Sequence, residues 1–173
     1  MDKYISSTSQ QYFAFNIWSI ESAKAVIDAA SQMKCNIILQ TSMKAFEQID
    51  KKEFYAFVRS YEQKKGIKAY LHLDHCKEMD FIQEAAECGW DSVMIDASDK
   101  TLSENINITN KVVKLVRKKG ILVEAEVGQI CGQEDEVTSV GTGIAKMDDI
   151  EKFIKSPDID STWIVQGSSR YQV

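Results

Sequence analysis

The stretch AYLHLDHCKEMD, residues 69–80, decides how the chain is read. An apolar run with strand character ends in His72, Asp74 and His75, and a helix-like segment follows at once. These are the only two histidines in 173 residues. Alternation along a strand places His72 and Asp74 on one face and Leu71 and Leu73 on the other. His75 has the parity of the leucines, so it joins Asp74 only if the strand ends or turns there. A carboxylate beside an imidazole at a strand end suits metal-assisted proton transfer. The alternatives are a buried His72 hydrogen-bonded to backbone, and Asp74 or His75 capping the next helix.

The same texture repeats outward from this stretch. Short apolar runs rich in strand formers occur at residues 12–17, 36–42, 68–74, 91–96, 121–127 and 161–167. Amphipathic stretches occupy 19–33, 52–65, 79–88, 105–119 and 147–155 between them. In the first of these, Ile20, Ala23, Val26, Ile27 and Ala30 share one face. Gly66, Gly89 and Gly120 each follow a helical stretch, where a left-handed C-terminal cap is expected. Nearly uninterrupted apolar strands joined by helices predict a parallel α/β sheet covered on both faces. No linker or low-complexity tract interrupts the pattern, so residues 1–173 read as one domain.

Polar residues concentrate at one place in this scaffold. Asn16, Ser42, Asp74 with His75, Asp96 with Ser98, Glu126 and Ser168 all fall at the C-terminal ends of successive strands. Parallel α/β folds build their sites on that edge, whether the sheet is open or closed into a barrel. Glu124 and Glu126 share a strand face, and two carboxylates there are costly unless paired, protonated or metal-bound. Structural pairing and function both remain open for Glu124. The long loop 128–146, on the same edge, carries four glycines, and loops of that length tend to be functional or disordered.

Bulk composition excludes several partners. The net charge is −5, with Lys and Arg scattered, which argues against nucleic acid. No apolar run approaches the ~20 residues of a membrane span, and MDKYISSTSQ lacks a signal peptide's apolar core. Cys35, Cys76, Cys88 and Cys131 show no CxxC pairing and are expected to be reduced, as in the cytoplasm.

In order and spacing, the segments AFNIWSIESAKAV, NIILQTS, LHLDH, DSVMIDASDKTLSENI, VEAEVGQICGQED and IDSTWIVQGSSR resemble the first six strands of class II, zinc-dependent ketose-bisphosphate aldolases. The resemblance implies a TIM-type (β/α)8 barrel, truncated here to about six parallel strands with helices outside, and cleavage of fructose or tagatose bisphosphate. It implies Asp74 as the acid/base at the aldehyde oxygen, Glu134 as a proton-transfer residue of the loop, His75 as a zinc ligand and Glu126 as a metal-site carboxylate. Asn16, Ser42, Asp96, Ser98, Gly167, Ser168 and Arg170 would contact the phosphorylated sugar. The family is usually oligomeric, so a homo-oligomer covering free first and sixth strand edges is expected.

Three departures bear on these expectations. A barrel needs eight strands where six are read here. The family's GTxHG reads GSSRY, so Arg170 stands where a zinc-binding histidine belongs, and a guanidinium offers no lone pair to a metal. Cys76 replaces a glycine after LHLDH, and Met43 and Lys44 replace small residues after the second strand. Cys76 is a candidate substitute ligand. Two classes of function follow: an aldehyde-lyase, or a non-catalytic sugar-phosphate-binding or assembly subunit on the same scaffold.

Overall fold

The computed structural model describes residues 12–128, 132–134, 137–139, 145–156, 159, 161–166 and 169–172. Its strands are β1 (Phe13–Asn16), β2 (Ile37–Ser42), β3 (Ala69–Cys76), β4 (Ser92–Ile95), β5 (Leu122–Val127), β6 (Gly132–Glu134), β7 (Val137–Ser139), β8 (Ser161–Gln166) and β9 (Ser169–Gln172). Its helices are α1 (Ile20–Met33), α2 (Met43–Gln48), α3 (Lys51–Lys65), α4 (Met79–Cys88), α5 (Leu102–Val116) and α6 (Met147–Lys155). The main sheet has the order β1-β2-β3-β4-β5-β8-β9. The first six of these strands are parallel, and β9 returns antiparallel to β8.

Local signals set the helix limits. Ser19 and Thr101 form capping boxes at α1 and α5, satisfying amides that a helix N-terminus leaves unpaired. Asp50 accepts from the Glu53 amide to start α3. Gly66, Gly89 and Gly120 cap their helical segments with φ of +68°, +91° and +71°. At Gly89 a Cβ would also stand 2.9 Å from the Tyr55 ring, so both conformation and space require glycine.

Helices cover one face of the sheet only, which corrects the two-faced expectation. With strands in chain order, right-handed crossovers put every helix on the same side. The helices accordingly pack as neighbours, α1 on α3, α3 on α4, α4 on α5 and α5 on α6. Along β2, Ile37, Leu39 and Thr41 are buried beneath them, while Ile38, Gln40 and Ser42 are half-buried. The core comprises Ile27, Phe46, Phe54, Leu71, Leu73, Ile82, Trp90, Val93, Val112 and Phe153 between sheet and helices. Phe46 meets Trp90 edge-on with ring centroids 5.2 Å apart.

The outer edge of the sixth parallel strand is not free. Trp163 to Gln166 pair with Gln172 to Ser169, so part of the polar GSSRYQV tail is a strand. The loop 128–146 holds a separate hairpin, β6 with β7. Among the described residues no helix is long and apolar enough to cross a membrane.

Candidate metal centre

The turn that His75 requires is a bulge in β3. Between the pairs Leu73–Val93 and Cys76–Ile95, β3 has Asp74 and His75 where β4 has Met94 alone. The extra residue is accommodated by His75 at φ +48°, a left-handed conformation unusual for a side chain with a Cβ. The bulge restarts the alternation. Cys76 falls into the helix-side core at 0% exposure, while His75 and Asp74 both remain partly accessible.

Three elements then converge. His75 Nδ1 lies 3.2 Å from Asp96 Oδ2 and 3.6 Å from Glu126 Oε2. One donor atom from each of His75, Asp96 and Glu126 lies within 4.8 Å of the others. In a tetrahedral zinc site with bonds of about 2.1 Å, neighbouring ligand atoms stand about 3.4 Å apart. The two measured separations bracket that value, and one imidazole with two carboxylates balances a divalent cation. These side chains therefore fit a metal ion.

Asp96 immediately follows β4 and is oriented by its own loop. Its Oδ1 accepts from the Ser98 amide at 3.1 Å and the Ser98 hydroxyl at 2.7 Å, leaving Oδ2 for His75. Burial alone would raise the Asp96 carboxyl, but hydrogen bonds from His75 and Ser98 outweigh it and hold it well below the usual range. For His75, burial disfavours the protonated ring. The Asp96 hydrogen bond and the charges of Asp74, Glu126 and Asp96 prevail and raise it above the ordinary imidazole value. Glu126, from β5, is buried with its side chain 3% exposed.

A second polar group adjoins the first on the uncovered face. His72 is buried, and its Nδ1 is 2.7 Å from Ser92 Oγ. Its Nε2 stands 3.7 Å from Asp74 Oδ1 and 4.0 Å from Glu124 Oε2. The buried-histidine alternative thus holds for position, with a serine side chain rather than backbone as the ring's partner. Neither Asp74 nor His75 caps α4, whose N-cap is Glu78 without a side-chain hydrogen bond.

Other expected residues fall at varied distances from this cluster. Ser42 ends β2 and accepts from the Ala45 amide at 3.3 Å, capping α2. Asn16 ends β1 and is exposed. Ser98 acts on Asp96 directly. Glu134 is in β6 opposite Val137, and Arg170 is in β9 opposite Val165; only their strand backbone is described. Gly167 and Ser168 lie outside the described residues. Cys76 does not substitute as a ligand. Its Sγ donates to the Glu78 carbonyl at 3.2 Å, and burial pushes the thiol up to about 12.

Asp96, expected to contact the sugar, also stands beside His75. Its signal was an aspartate directly after a four-residue apolar strand on the same edge. The buried Asn105 of α5 was missed altogether. Its amide Nδ2 donates to the Glu126 carbonyl at 2.8 Å.

Residues 3–169 match the family model described as fructose-bisphosphate aldolase class-II. A fructose-bisphosphate aldolase of Staphylococcus epidermidis is 32% identical over 159 residues, 89% of this chain and 55% of that protein. One from Giardia intestinalis is 31% identical over 157 residues, 90% of this chain and 48% of that protein. The crystal structure of the YdjI aldolase from Escherichia coli K12 superposes with a TM-score of 0.74 at 28% identity, covering 88% of this chain and 55% of that one. The chain spans about half the length of the relatives it matches.

Proposed function

The chain belongs to the class-II fructose-bisphosphate aldolase family, and from that premise we propose that its strand-end cluster is the metal centre of a ketose-bisphosphate aldol reaction. The observation that carries the reading is the convergence of one donor atom each from His75, Asp96 and Glu126 within 4.8 Å, with His75 3.2 Å and 3.6 Å from the two carboxylates and Asp74 next to it in β3. The six parallel β/α units are read as part of a TIM-type barrel forming one domain, and fructose or tagatose bisphosphate as the substrate class.

Zinc held by His75, Asp96 and Glu126 would supply Lewis-acid polarisation of the ketose carbonyl. The remaining steps fall to this chain's own groups. In cleavage, the Asp74 carboxylate takes the proton of the C4 hydroxyl as the C3–C4 bond breaks; in condensation it returns that proton. Asp74 is suited to this by its place on the accessible face, one residue from His75. Ser98 holds Asp96 through its Oδ1 and leaves Oδ2 to face the ion beside His75. Glu134 is assigned proton transfer at the carbon that loses its partner. Asn16, Ser42 and the Gly167–Ser168–Arg170 segment are assigned to the phosphorylated sugar.

A second reading is favoured by Arg170. A permanent cation at the family's histidine position supplies no lone pair and opposes a nearby divalent ion, yet its planar fork suits phosphate. On this reading the chain binds a sugar phosphate without turnover. One experiment decides: metal content after dialysis, with an aldol-cleavage assay run with and without chelator. Zinc retention with chelator-sensitive cleavage supports the aldolase. Phosphate-dependent ligand binding without zinc or cleavage supports the second reading.

A further inference from the structure

We infer that Asn105 is a positioning residue for the metal centre, acting from helix α5 through the backbone of Glu126. The inference rests on the metal-centre reading above and adds a residue to it.

Asn105 is an uneconomical choice for its site unless its amide has a task. It sits one turn into α5, its backbone amide bonded to the Thr101 carbonyl at 2.9 Å, where asparagine is a weaker helix former than leucine or alanine. It is only 3% exposed, and a buried amide costs stability unless hydrogen-bonded. Both ends of the amide are engaged. Thr109, fully buried one turn further on, donates its hydroxyl to Asn105 Oδ1 at 3.2 Å. The Glu126 carbonyl, 2.8 Å away, can only accept, so the end facing it is Nδ2 and the end facing Thr109 is Oδ1.

The position of that carbonyl gives the contact its meaning. The β4–β5 ladder ends at the pair Ile95–Ala125, so β5 outruns β4 by Glu126 and Val127. Among the described residues Glu126 pairs in the sheet with Trp163 of β8. Beyond the end of the β4–β5 ladder, the amide of Asn105 bonds the Glu126 backbone from helix α5. The Glu126 backbone is thereby held at the register that sets its carboxylate 3.6 Å from His75 Nδ1. A ligand held in place before the ion arrives binds it more tightly than one that must be ordered.

The test is zinc affinity by chelator competition on the full chain, at a temperature where each variant is folded. Asn105→Leu is expected to lower affinity about 10- to 100-fold, the range for partners that orient ligands. It should also alter the ligand-field absorption of the cobalt-loaded protein. Thr109→Val removes only the hydroxyl that orients the amide, and a loss of several-fold is expected; this variant answers the question if the leucine variant does not fold. Val58→Ala, in the core under α3, is the control: it should lower thermal stability and leave zinc affinity within about 2-fold. Folded Asn105→Leu or Thr109→Val protein with unchanged affinity and cobalt spectrum overturns the positioning role alone. So does a Val58→Ala protein that loses zinc in proportion to its stability. A native chain that takes up no zinc overturns the metal-centre reading, and this inference with it.

Discussion

At the scale of the residue, neighbouring positions in LHLDHC have opposite fates. His75 stays at the accessible edge, while Cys76 enters the core at 0% exposure. Burial raises the Cys76 thiol from 9.0 to about 12. Below pH 9 the thiol is protonated in folded and unfolded chain alike and has no effect on stability. Above it the unfolded chain ionises and the folded one does not, so this group withdraws stability as pH rises toward 12. Mass-resolved alkylation at mildly alkaline pH should modify the half-buried Cys35 and leave Cys76 unlabelled until denaturant is added; rapid native labelling of Cys76 would contradict its placement. Asp74 and His75 were legible as site candidates because three polar groups close an apolar strand. The partnership of His75 with Asp96 was not, since it depends on a bulge that no alternation pattern encodes. Asn105 was hidden for a different reason: a polar residue within an amphipathic helix looks solvent-facing until its helix is docked on β5.

At the scale of the element, the parallel strands and five of the six helices follow the apolar periodicity of the sequence within a few residues. Helix α2 escaped notice because its six residues follow β2 directly, with Ser42 serving both as strand end and as cap. Strands β6 and β7, of three residues each, and the polar β9 carry too little pattern to be read. Helix α3 is fastened to the start of β3 by a polar clamp equally invisible in sequence. Arg59 Nη1 donates to the Ala69 carbonyl at 3.0 Å and to Glu62 at 3.2 Å, and its Nη2 bonds Asp91. Asp91 in turn accepts from the Leu71 amide at 2.7 Å. Arg59→Ala leaves the partly buried Asp91 without its cation, while Glu62 keeps Lys68 at 2.6 Å, and is expected to destabilise the chain by about 2 kcal/mol. Urea unfolding checks this, and a change below about 0.5 kcal/mol, the level of an ordinary surface substitution, would show the clamp to be ornamental.

At the scale of the whole molecule, covered and uncovered regions differ sharply. Every residue of β1 is exposed, and among the described residues no strand lies beyond it in the sheet. Phe13 is 54% exposed, Phe15 43% and Trp18 64%, with Met33 of α1 at 73%. An open strand edge beside exposed aromatic rings favours association. At micromolar concentration the chain is expected to sediment as a dimer or larger. Phe13→Lys combined with Phe15→Lys should shift it toward monomer; a wild-type monomer under the same conditions refutes the expectation.

The bulge in β3 also has a consequence for heredity. Elsewhere in a strand, losing one codon inverts every later side chain, sending core residues to the surface. Between Leu73 and Cys76 the arithmetic reverses, because β3 already carries one residue more than β4. Deleting His75 would pair Asp74 with Met94 and leave Cys76 opposite Ile95, with the core untouched. Here, then, a lineage could discard the His75 imidazole in one genetic step and keep its fold, so that decay of chemistry and decay of structure need not travel together.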